Sequence, residues 1–219
     1  MNALSHEVIF EINLKLAKLK MENKSYTPTN FETVSLINLA LDFYSQIIVE
    51  QPSVNLVGMK NNKEINMGIK IPDKTETIIN LKDVNIRGRE APSIIIGEDC
   101  TVTLALEGNN VLSYEGIKVP NSSKLIIQGK GNLTIRVDHN NGIGIGTGAD
   151  TNEAYGDIVF EGLGTLRIEA NSDQTYAIGG YLANDNSKIK VDGGSLEIIA
   201  NGSKTVGIGS STGNTEIVV

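Results

Sequence analysis

Two patterns of apolar spacing divide the chain. Leu4, Val8, Ile12, Leu16 and Leu19 recur at intervals of 4, 4, 4 and 3, which predicts one stripe of an amphipathic helix. A second helix is expected after Ser25-Tyr26-Thr27-Pro28, with Thr27 as N-cap and Pro28 in the first helical position. Its apolar stripe is Leu36, Leu39, Phe43 and Ile47, at intervals of 3, 4 and 4. Residues 1–50 therefore predict an α-helical hairpin, either a small module of its own or a cap on the neighbouring domain.

Beyond it the period changes from helical to alternating. Short pairs of aliphatic residues recur as Ile94/Ile96, Leu125/Ile127, Ile158/Phe160, Ile189/Val191 and Ile217/Val219, at intervals of 31, 33, 31 and 28. A second set keeps step with the first: Val102/Leu104/Leu106, Leu133/Ile135/Val137, Leu166/Ile168/Ala170 and Leu196/Ile198/Ala200. A third set is Ile145-Gly146, Ile178-Gly179 and Ile208-Gly209, at intervals of 33 and 30. Three registered strand signals per repeat predict one coil of a solenoid, with Leu133, Leu166 and Leu196 stacked in one buried column. The expected fold is a right-handed parallel β-helix with three strands and ~30 residues per coil, in about five coils. Residues 92–219 hold the repeats, and residues 51–91 read as a linker with an irregular first coil around Val84 and Ile86.

Glycine marks the same division: all 23 glycines lie from Gly58 onward, 17 of them from Gly129 onward. Charge narrows the functions. With 19 basic and 26 acidic residues, a net charge of −7 and no basic cluster, neither nucleic acid nor an anionic membrane is an expected partner. No stretch approaches the roughly 20 apolar residues of a membrane-spanning helix. The single cysteine, Cys100, rules out an intrachain disulfide framework, and only His6 and His139 could supply imidazole to a metal. Cys100 reads as a small buried apolar group and His139 as a solvent-exposed residue. The run Gly142-Ile-Gly-Ile-Gly-Thr-Gly lacks the following helix and Lys-Ser/Thr of a phosphate cradle, so it reads as a solenoid corner.

The segments beginning Cys100-Thr-Val-Thr-Leu-Ala-Leu-Glu-Gly, then Gly116-Ile-Lys-Val-Pro, Leu125-Ile-Ile-Gln-Gly-Lys-Gly-Asn-Leu-Thr-Ile and Gly144-Ile-Gly, resemble the carbohydrate-binding-domain-like β-helical proteins of Firmicutes. The likeness covers roughly residues 92–219, and the usual GIGGG is reduced to Gly144-Ile-Gly-Thr, Ile178-Gly-Gly-Tyr and Ile208-Gly-Ser. It implies a secreted or cell-surface β-helix and, for some relatives, polysaccharide binding with calcium. About 40 residues of the N-terminal hairpin, through LAKLK, YTPTNF and LINLAL, also resemble the FIVAR helical modules of Gram-positive surface proteins.

Candidate chemistry is sparse. Tyr155, Tyr176 and Tyr181 fall in loops around the Ile-Gly corners and are the candidate sugar platforms. Arg136 and Arg167 flank Ile135 and Ile168, are expected on one outer face, and could grip an acidic sugar or be solvated beside Glu197. Asp150, Asn152 and Asp157, in the long loop 147–157, are the candidate calcium ligands, because a hard cation takes loop oxygens. The remaining acidic residues sit beside Asn, Gly or Ser as turn formers, so no catalytic residue is assigned. The leading expectation is a non-catalytic surface or secreted module that binds polysaccharide or cell-wall glycan. Its alternatives are a stalk or adhesin segment without a small ligand, and a polysaccharide lyase or hydrolase. Further repeats of the same chain are expected beyond residue 219.

Overall fold

Alternating sequences such as Thr-Val-Thr-Leu-Ala-Leu-Glu at 101–107 bury every second side chain, so one face must be covered and the other stays wet. The chain meets this demand by winding. In the computed structural model, which describes residues 24–41, 44–58, 62–148, 151–184 and 187–219, 22 strands run in three parallel sheets. The chain visits the sheets in turn, and each full circuit is one coil of a parallel β-helix.

Sheet A holds β1 (Ser25–Tyr26), β3 (Gln46–Ile48), β6 (Gly68–Ile71), β9 (Ile94–Ile96), β12 (Ile117–Lys118), β15 (Ile143–Gly146), β18 (Tyr176–Leu182) and β21 (Val206–Thr212). Sheet B holds β2 (Thr33–Ser35), β4 (Ser53–Val57), β7 (Glu76–Lys82), β10 (Thr101–Glu107), β13 (Lys124–Gly129), β16 (Asp157–Phe160), β19 (Lys188–Val191) and β22 (Glu216–Val218). Sheet C has six strands: β5 (Ile65–Asn66), β8 (Asn85–Arg87), β11 (Asn109–Tyr114), β14 (Asn132–Val137), β17 (Thr165–Ala170) and β20 (Ser195–Ala200). Coil 1 thus comprises β1 and β2, coil 2 runs from β3 to β5, and the count continues to coil 8, β21 and β22.

The columns expected of the repeat are present. Leu133 pairs with Leu166 and Leu166 with Leu196, and Ile135, Ile168 and Ile198 follow beside them. Ile145, Ile178 and Ile208 form a column in sheet A, and Leu125, Ile158, Ile189 and Ile217 one in sheet B. Beside the sheet A column Gly146, Gly179 and Gly209 stack with φ of 133°, 123° and 115°. A Cβ on Gly146 would lie 1.8 Å from the Gly179 carbonyl oxygen, so the rungs close only on glycine there.

Three expectations need correction. Ile94 does not stack under Leu125; it pairs with Ile117 in sheet A, while Val102 is the residue under Leu125 in sheet B. Likewise the residue under Leu133 in sheet C is Asn110, not Val102. Leu125 lies 31 positions after Ile94 because that distance is one 23-residue coil to Ile117 plus an eight-residue step to the next strand. The sum imitates the 33- and 31-residue coils that come after it, from Leu125 to Ile158 and on to Ile189.

The second correction concerns the helical hairpin. Leu4, Val8, Ile12, Leu16, Leu19 and Phe43 lie outside the described residues. Within them, Thr27 and Pro28 begin no helix: Ser25–Tyr26 and Thr33–Ser35 are strands, one short helix α1 spans Leu36–Leu41, and Ile47 belongs to β3. Pairing of Tyr26 with Ile47 and of Val34 with Leu56 overrides the helical spacing, since aromatic and β-branched residues suit a pleated surface. The helix α1 takes the place of a sheet C strand in coil 1, burying Leu36 and Leu39 and packing on β5. At the same end Tyr26 and Tyr44 meet edge to face at 5.3 Å, with the Lys24 ammonium 3.9 Å from the Tyr44 ring centre. Residues 53–87, expected to be a linker with one irregular coil, continue the same three sheets as β4 to β8.

Candidate functional site: an amide-lined groove on sheet B

Register decides which polar residues share a face. In the first four coils the sheet B strands bury Val34, Leu56, Leu81 and Leu106 in one column, so the residues on either side face outward. One outward column reads Thr33, Asn55, Asn80, Ala105 and Gln128; its neighbour reads Ser35, Val57, Lys82 and Glu107. Thr33, Asn55, Val57, Asn80, Lys82, Ala105 and Glu107, with Lys130, border a groove of 480 Å³, and Gln128 is the next rung of the column beyond Ala105.

The amide column is internally bonded, and in one direction. The Asn80 side-chain N–H donates to the Asn55 Oδ1 at 2.9 Å, and Asn55 Nδ2 donates to the Thr33 Oγ1 at 3.3 Å and the Phe31 carbonyl at 3.4 Å. The column is interrupted at Ala105, a residue lining the groove whose methyl supplies no amide between Asn80 and the next rung, Gln128. Lys82 and Glu107 form an ion pair along the wall; the side chains are 47% and 68% exposed, so solvent screens it and it serves mainly to fix two polar heads. Amides that both donate and accept, beside aliphatic lysine stems, match the alternating hydroxyl and C–H surface of a sugar.

The residues singled out from sequence fare differently. Tyr155 is fully buried in the core, with its hydroxyl 2.5 Å from Thr215 Oγ1. Burial pushes the Tyr155 phenol above its ordinary pKa, which keeps the hydroxyl protonated. Tyr176 is 4% exposed, its hydroxyl 2.8 Å from Ser211 Oγ. Neither ring offers a face to a sugar, and both are corrected from platforms to packing residues. Residues 154 and 155 bridge to Leu182 and Pro120, which draws this loop inward onto neighbouring coils. Tyr181 is exposed at 42%.

Arg136 and Arg167 do share the outer face of sheet C, but diagonally: Arg136 is level with Glu169, and Arg167 with Thr134 and Glu197. Glu169 accepts from Arg167 Nε at 2.7 Å and from Arg136 Nε at 3.3 Å, and Arg167 also pairs with Glu197. Two guanidinium groups thus meet two carboxylates of their own sheet, and the solvated alternative describes them better than a grip on an acidic sugar. The Arg167 hydrogen bond holds the Glu169 carboxyl below its ordinary value.

The calcium expectation rests partly on Asp150, which lies outside the described residues. Asn152 is exposed, and Asp157 begins β16 level with Lys124, with Lys188 one coil on by continuation of the register. Asp157 thus shares its column with two lysines, a poor setting for a hard cation. Among the described residues no three His, Cys, Asp or Glu side chains gather as a metal site.

A cluster with no signal in the sequence lies where sheet C turns into sheet A. His139, expected to be solvent-exposed, places Nε2 3.1 Å from the Oε1 of buried Glu115 and its ring 4.4 Å from that of Tyr114. Arg87 reaches across coil 4 to pair with Asp138 at 2.5 Å, passing 5.5 Å from the centre of the Tyr114 ring. Only the register brings Arg87, Tyr114 and Asp138 together. A smaller groove of 340 Å³ lies on sheet A between Gln46, Gly68 and Arg89. Cys100 is buried as expected, with its thiol 3.1 Å from the Pro72 carbonyl.

No protein family model, no curated protein and no solved structure matches this chain.

Proposed function

We propose that this protein is a non-catalytic carbohydrate-binding module, secreted or displayed on a cell surface, whose glycan lies in the groove of sheet B. The observation that carries the reading is the column of side-chain amides and hydroxyls running across consecutive coils beside an open floor at Ala105. A rigid wall of parallel strands holds these groups at a fixed spacing of about 4.8 Å per coil, so little order has to be gained on binding. The resemblance of residues 92–219 to carbohydrate-binding-domain-like β-helical proteins supports the same reading.

The test is a glycan array probed with the intact chain, with and without calcium, followed by titration of any hit against Asn55→Ala and Asn80→Ala. Each lost hydrogen bond should cost about 0.5–1.5 kcal/mol, or roughly 2- to 12-fold in affinity. Calcium should leave the affinity unchanged. A blank array returns the protein to the class of structural stalks, and release of unsaturated or reducing sugar from a polysaccharide makes it an enzyme.

A further inference from the structure

The interruption of the amide column points to a particular chemical group. Three successive coils carry Thr33, Asn55 and Asn80 in register, each amide donating toward the N-terminal end. The next rung is Ala105, and the rung after that is again an amide, Gln128. Along a parallel sheet the rungs are about 4.8 Å apart, so Asn80 and Gln128 are held roughly twice that distance apart. That gap is too wide for the two amides to bond each other and wide enough for one planar amide between them. The Asn80 Oδ1 accepts no hydrogen bond among the described residues, and the Gln128 amide makes none among them.

From this we infer that the groove selects an acetamido sugar, a glycan built on N-acetylhexosamine, and this inference rests on the carbohydrate reading above. The acetamido group occupies the missing rung over the Ala105 methyl. Its N–H donates to Asn80 Oδ1, continuing the direction in which Asn80 donates to Asn55. Its carbonyl accepts from the Gln128 Nε2. The small side chain of Ala105 is what makes the space, and the Lys82–Glu107 pair along the wall meets the ring hydroxyls. A sugar with a hydroxyl in place of the acetamido group cannot bridge both amides, and it leaves one of them without its partner.

Calorimetric titration of the wild-type chain with N-acetylglucosamine tetramer and with cellotetraose, which differ at this substituent, tests the inference without any variant. The acetamido ligand should bind at least about tenfold more tightly. Ala105→Asn supplies the missing amide from the protein itself; it should lose about tenfold or more in affinity for the N-acetylglucosamine tetramer while keeping the urea midpoint. Gln128→Ala should remove most of the preference between the two ligands without touching the floor. Equal affinity for both tetramers, or undiminished binding by folded Ala105→Asn, overturns the acetamido assignment and leaves glycan binding standing. Absence of binding to every glycan removes both.

Discussion

The two halves of the solenoid are wound to different lengths. In the first five coils, paired residues in sheet B are separated by 22 to 25 positions, as from Thr33 to Asn55, Ser53 to Ile78 and Thr101 to Lys124. From coil 5 on they are separated by 33, 31 and 28, from Leu125 to Ile158, Ile189 and Ile217. The added residues do not lengthen the strands of this sheet. Strands β7 and β10 have seven residues each, whereas β16 and β19 have four. In sheet B the long coils carry the shorter strands, whereas in sheet A they carry the longer ones, seven residues each in β18 and β21. The groove is lined by residues of the first four coils and by Lys130, so it belongs to the tightly wound half.

If both halves share one core, truncation should cost the same in each. Leu104 and Leu166 are both fully buried, and replacing either by Ala should destabilise by about 2–5 kcal/mol in urea unfolding. A large difference between them would mean that the halves are separate cooperative units. Glycine gives the sharper contrast. Gly146→Ala, in the long-coil half, adds positive-φ strain to a clash with the Gly179 carbonyl and should cost about 2 kcal/mol or more. Gly68→Ala, in the short-coil half, meets nothing within 4 Å and should be neutral or stabilising by up to about 1 kcal/mol.

Acid separates the halves next. The Glu169 carboxyl is held below its ordinary 4.5 by Arg167, so its contribution is whole above that value and is lost as the pH falls through the lowered one. Glu169→Gln should therefore be less stable at neutral pH and show a flatter acid limb, read as urea midpoint against pH. The smallest effect should come from Arg136→Ala, at most about 1 kcal/mol, because that side chain is half exposed and its pair is screened.

The difference in winding also explains what can be read from the chain beforehand. From Leu125 on, nearly equal coils bring like residues to like positions, and the columns of Leu133, Ile145 and Ile158 follow from spacing alone. In the shorter coils the sheet A spacing runs 22, 25 and 23, so spacing alone matches Ile94 and Val102 one strand out of place and gives residues 25–48 a helical look. The groove is hidden for the same reason: Asn55, Asn80 and Ala105 become neighbours only once the register is known. Tyr155 and Tyr176 carry the opposite error. Their sequence surroundings are those of exposed loops, and only tertiary pairing shows that the loop turns inward.

The hydroxyl of Tyr155 meets Thr215 two turns away, and Arg87 likewise skips a turn to reach Asp138. In a stack whose sheet pairings join each layer to the layers beside it, these side chains act as bolts through three plates. A pull along the axis must shear a bolt before the middle plate can slip, which divides the load among layers that would otherwise peel away one by one.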